Sequence, residues 1–130
     1  LDPSVTERTI ERMTSAFDEQ RSLTLTTSET PNSWLPGDEI AQALAAMATD
    51  PRIRDRYDAM MLTGGDVAGA VCAQLEAEAI WLGGEVLPAI PWGTLAGGLR
   101  PGLPIVTKAG SFGDDIAMVE SVAFLRQMTN

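Results

Sequence analysis

The run GLPIVTKAGSFGDD, residues 102–115, passes from an apolar strand, LPIVT, straight into a glycine-rich loop, and the helical pattern IAMVESVAFLRQM follows it. The same order of strand, glycine turn and helix occurs upstream in LTGGDVAGA, residues 62–70. There Val67, Ala70, Val71 and Leu75 recur at helical spacing. Strands that each run into a helix predict an α/β fold, with three layers and a mostly parallel sheet flanked by helices. In an open parallel sheet both glycine turns fall at the carboxyl edge, where ligands bind.

Working outward, LDPSVTERTIERMTSAFDEQ opens the chain with helix-start signals: Pro3 in a first turn, and Ser4 with Glu7 spaced as a capping box. Ile10, Met13 and Phe17 then mark an apolar face. SLTLTTS alternates Leu23 and Leu25 with threonines and reads as a strand. ETPNSWLPGD is a loop, and EIAQALAAMA is a second helix with Ile40, Ala43, Leu44 and Met47 on one face. DPRIRDR is a charged connection whose arginines read as a solvated face. IWLGGEVLPAIPWGTLAGG holds short strands, and TLAGGLRPGLP is a hairpin or crossover connection. Helices are expected near residues 3–20, 37–48, 66–78 and 115–127.

The 130 residues suit one domain, and 45% hydrophobic content can fill a core. A start at Leu1 rather than Met reads as a fragment or a processed piece. No apolar run approaches the roughly 18 residues that span a bilayer, so no membrane partner is expected. The net charge of −9 arises within residues 1–98, which hold 6 basic and 15 acidic side chains. Such a chain is a poor nucleic-acid binder, because phosphate affinity rests on Lys and Arg. An anion would have to be bound locally, in the neutral C-terminal third. The absence of histidine excludes Ser–His–Asp and Cys–His catalysis and the usual zinc sites within the chain. Cys72, the one cysteine, lies in a helical apolar pattern and reads as a small core residue. No internal disulfide is possible, which favours a cytoplasmic setting.

Two constellations carry candidate chemistry. Gly64, Gly65 and Asp66 form a turn ahead of a helix whose free N–H groups and positive dipole end suit an anion. The plainer reading is a tight turn with Asp66 as N-cap. Lys108, the single lysine, ends a strand beside Gly110 and Gly113. A compact ammonium there suits a phosphate, and a lone lysine on a sheet edge is also a common solubilising charge. Asp114 and Asp115 fit either water-mediated Mg²⁺ or a helix cap.

Taken together, LTGGDVAGAV, IPWGTLAGG and GLPIVTKAGSFG, in that order and spacing, resemble the C-terminal nucleotide-binding domain of the four-carbon acid sugar kinases over residues 22–130. The resemblance implies an ATP site, with Mg²⁺, built from Gly64, Gly65, Asp66, Val67, Ala68, Lys108, Gly110 and Gly113. It implies a separate N-terminal domain that binds the sugar acid and supplies the catalytic base, so no catalytic residue is assigned here and the fragment alone is expected to be inactive. Two positions depart from the family pattern: Val67 stands where Thr or Ser is usual, and Ser111 where a glycine is. The alternative reading is a non-catalytic module that binds a nucleotide or small anion. Trp34, Trp81 and Trp92 are candidates for an apolar face toward a partner, and a homo-oligomer is expected.

Overall fold

The computed structural model describes residues 2–27, 36–110 and 116–129. Helix α1 (Pro3–Asp18) begins where its first turn is pre-set by Pro3. The cap is Asp2, whose carboxylate accepts from the Ser4 N–H at 2.9 Å, and not the expected Ser4–Glu7 box. Asp and Ser compete for the same orphan donors, and Asp2 sits two residues earlier, directly before Pro3. Helix α2 (Gly37–Ala48) follows, then β1 (Met60–Thr63), α3 (Gly65–Gln74), β2 (Ala79–Leu87), β3 (Ile90–Ala96), β4 (Pro104–Lys108) and α4 (Ala117–Thr129).

The sheet runs in the order β1-β4-β3-β2. It is mixed, not mostly parallel: β1 and β4 pair parallel, while β2–β3 and β3–β4 are antiparallel. Connection length decides this. Two residues, Pro88 and Ala89, separate β2 from β3, and Ala89 turns the chain with φ +67°. Only residues 97–103 separate β3 from β4. A parallel crossover needs about a dozen residues or more, so both links close as hairpins. The long link through α3 and the hairpin brings β4 back beside β1 in parallel.

Helices cover both faces. On one face Leu62, Leu95 and Ile105 pack with Ala70, Val71 and Leu75 at α3 and with Ala41 and Ala45 of α2. On the other, Ile90 and Val106 pack with Ala117 and Leu125 of α4, and Trp92 packs against Phe124 in a tilted pair with ring centroids 5.3 Å apart. The adjacent residues Ile105 and Val106 thus serve opposite cores, as the strand's period of two requires.

A third cluster joins Ile10 and Met13 of α1 to Met47 and to Ile53 in the charged connection. The arginines there are clamps as well as solvated charges. Arg52 bonds Asp50 and Glu7, and Arg56 reaches Asp18 at 2.6 Å. Leu23 and Leu25 lie on this cluster, but residues 21–27 form no strand. Their alternation is real, with leucines half-buried and threonines exposed, yet the leucines pack on helices, and no neighbouring strand among the described residues supplies a ladder.

Gly98 is a fixed point of the β3–β4 hairpin. Its φ is +75°, and an added Cβ would run into the carbonyl oxygens of Leu75 and Glu76 at the end of α3. Gly98→Ala should therefore cost about 1–3 kcal/mol, through both backbone strain and the contact, read as a lower denaturant midpoint. The Arg52 cluster gives a pH test. The Arg52 guanidinium holds the Glu7 and Asp50 carboxyls below their ordinary values. Their folded pKa values are depressed, so the stabilisation is present at neutral pH and is lost as pH falls through the carboxylate range. The gap in midpoint between wild type and Arg52→Ala should close on acidification; a gap that persists at low pH would show that the clamp works by packing alone.

Candidate nucleotide-binding site

The site is assembled by β1 and β4. Their register pairs Met61 with Val106, Leu62 with Thr107 and Thr63 with Lys108. Both strands therefore end at one level and point the same way. The pairing continues one step beyond the strands, where the Gly64 N–H donates to the Lys108 carbonyl at 2.8 Å. The turns after Thr63 and after Lys108 lie side by side at one carboxyl edge, although distant in sequence.

Gly64 is the N-cap of α3, with φ +97° and ψ 134°, a conformation that a side-chain-bearing residue rarely adopts. Asp66, read above as a possible cap, sits inside the first turn instead, and no side chain caps the helix. The Ala68 N–H is committed to the Gly64 carbonyl at 3.0 Å. Of the residues predicted for this turn, Gly65, Asp66 and Val67 are thus the ones whose main-chain N–H groups precede the helix's own ladder and suit an anion. Val67 is half-buried against the core. It lacks a hydroxyl, but its N–H is placed as a threonine's would be. At Gly64, Gly65 and Gly110 an added Cβ would meet nothing within 4 Å, so this edge is open.

Lys108 departs from the expected solvated rim lysine: it is only 9% exposed. It lies on the α4 face, two residues beyond Val106, and its Nζ turns back to donate to the carbonyls of Ala109 (3.2 Å) and Gly110 (3.3 Å). No carboxylate pairs with it among the described residues. Thr63, its cross-strand neighbour, was not singled out by sequence. Its Oγ1 is buried and has no hydrogen-bond partner among the described residues. Nothing in the sequence marks it beyond its place just before the glycine pair. Gly113, Ser111, Asp114, Asp115 and Trp34 lie outside the described residues. Among the described residues no group of three or more His, Cys, Asp or Glu could hold a metal ion.

Residues 2–118 match the family model for the nucleotide-binding C-terminal domain. The chain belongs to that family. It is 39% identical to a D-threonate kinase of Bordetella bronchiseptica over 93 residues, covering 72% of this chain and 23% of that protein. It is 36% identical to a D-erythronate kinase of Heliobacterium modesticaldum over 90 residues, 66% of this chain and 20% of that protein. A crystal structure of a domain of unknown function from B. bronchiseptica, a domain-swapped dimer with bound citrate, superposes with TM-score 0.79 at 31% identity. It covers 96% of this chain and 32% of the other. The chain spans about a quarter or less of the length of the curated relatives it matches.

Elsewhere the side chains of the family domain take structural roles. Cys72 is half-buried against the α2–α3 core, and burial pushes its thiol above the ordinary value, as suits a packed residue and not a nucleophile. Burial of Lys108 also changes what its truncation should do. Lys108→Ala removes a packed aliphatic stem and should destabilise by about 1–2 kcal/mol, whereas Lys108→Met keeps the stem and should stay close to wild type in urea unfolding. Equal midpoints for the two variants would return the stem to solvent.

Proposed function

We propose that the chain is the ATP-binding part of a kinase that phosphorylates a hydroxyl of a four-carbon sugar acid of the threonate or erythronate type. The observation that carries this is the junction of two glycine turns at one open edge, clasped by the Gly64–Lys108 main-chain bond, in a member of a nucleotide-binding family. The D-threonate and D-erythronate kinase relatives supply the substrate class.

The residues fit phosphates. Gly65, Asp66 and Val67 offer main-chain N–H groups at the start of α3, and the helix dipole adds to their attraction for an anion. Lys108 is the one ammonium of the chain and stands at the same edge. Gly64, Gly65 and Gly110 allow close backbone approach. Bound ATP supplies the phosphoryl group, and Mg²⁺ would be held chiefly by its phosphate oxygens and water. Phosphoryl transfer rests on positioning and on neutralising charge, so these groups bind and orient while none of them reacts. In this reading the sugar acid and the base belong to an N-terminal domain, the protein works in the cytoplasm, and the chain alone does not turn over substrate.

The reading extends to a partner. The outer strand β2 carries Ile80, Trp81 and Leu82, with Trp81 71% and Leu82 76% exposed. Trp92, by contrast, packs against Phe124 and belongs to the core. We propose that a second copy of the chain covers β2; the domain-swapped dimer of the B. bronchiseptica relative supports this. Trp81→Glu should shift the protein toward monomer in sedimentation, while an unchanged oligomer would exclude β2 from the contact.

The function is tested in the protein at its natural full length, with Mg-ATP and the isomers of threonate and erythronate. Lys108→Met should raise KM for ATP or lower kcat by about tenfold or more, as expected for loss of one charged phosphate contact. Unaltered ATP kinetics in that variant would remove Lys108 from the site.

A further inference from the structure

Two polar groups of the site are poorly satisfied, and they are neighbours. Thr63 and Lys108 are register partners on adjacent parallel strands. Met61 and Val106, two residues earlier on each strand, both pack toward α4. The period of two therefore places the Thr63 and Lys108 side chains on that same face. The Thr63 hydroxyl is buried without a partner among the described residues. The Lys108 ammonium has three protons, and among the described residues its acceptors are two carbonyls of its own loop, at 3.2 and 3.3 Å. Those contacts are long for a charged donor, which usually sits at about 2.7–2.9 Å. The ammonium is thus weakly held, beside a hydroxyl with unused lone pairs.

A buried hydroxyl with no partner costs stability, and a valine of the same shape would not carry that cost. Its presence beside the site's single cation points to an occupied state in which it is satisfied. We propose that Thr63 is a positioning residue of the nucleotide site: its hydroxyl accepts from the Lys108 ammonium when that group leaves the Ala109 and Gly110 carbonyls for a phosphate oxygen. The inference rests on the nucleotide reading above and deepens it. Thr63 acts through Lys108 and does not touch the phosphate itself.

The test is Mg-ATP binding by calorimetry on the full-length protein, with thermal unfolding of each variant alongside. Thr63→Val should unfold at the wild-type temperature or above it, yet bind Mg-ATP about tenfold more weakly, the loss of one hydrogen bond to a charged group. Thr63→Ser, which keeps the hydroxyl, should bind nearly as wild type. In a Lys108→Met background Thr63→Val should cause no further loss, because its route is gone. If Thr63→Val does not fold, Thr63→Ala is read in the same way. Wild-type affinity in the hydroxyl-free variant would overturn the inference alone. An equal loss in both backgrounds would also overturn it, since it would mean that Thr63 acts independently of Lys108. A wild-type protein that does not bind Mg-ATP would overturn the nucleotide reading and this inference with it.

Discussion

The parallel pairing of β1 with β4 is the constraint on which the rest of the molecule depends. It is the one parallel pair among the described residues. It is also the pair that makes the candidate site, because two parallel neighbours end at the same edge and pass their turns to that edge together. The bond from the Gly64 N–H to the Lys108 carbonyl extends this registry past the strands and ties one turn to the other. Were β4 antiparallel to β1, the KAG turn would stand at the opposite edge from the GGD turn, and no single ligand could reach both.

The chain's connections serve this pairing. A short hairpin joins β2 to β3 and a second joins β3 to β4, so direction reverses twice before β4 is laid beside β1. Gly98, lodged against the carbonyls that end α3, anchors the second hairpin to the crossover helix. The price of the arrangement is an outer strand, β2, that is exposed along most of its length and carries large apolar side chains. A monomeric sheet rarely leaves such an edge bare, since its open backbone groups and apolar side chains invite pairing.

At the site itself, helix and lysine present positive charge in different ways. The start of α3 offers fixed N–H dipoles, held by a glycine cap whose backbone angle excludes most side chains. Lys108 offers a full charge on a stem that is buried and a head that folds back on its own loop. Among the described residues no carboxylate pairs with it, so there the ammonium is free to attract an anionic ligand. An acidic chain with net charge −9 needs such a local arrangement, because its long-range field repels anions.

Much of this was legible in the residues. Helix periodicity placed α2 at its observed bounds and the others within a few residues, because the apolar stripe of a helix is a local property of the sequence. The two glycine turns stood out for the same reason: glycines placed just after an apolar strand are a local mark, and at Gly64 the backbone uses it, with φ +97°. The shared direction of β1 and β4 was read correctly from their two strand-and-turn runs, but the direction of β2 and β3 was not. Parallel neighbours and the two strands of a hairpin look alike to a local reading; the short links on either side of β3 settle that it runs against both its neighbours. The alternation of Leu23 and Leu25 shows the same limit, since a period of two records which side chains are covered and says nothing of whether a strand or a helix covers them. The burial of Lys108 and a Thr63 hydroxyl with no partner among the described residues were beyond sequence altogether. Each depends on atoms brought from a strand more than 40 residues away, a proximity that only the folded sheet creates.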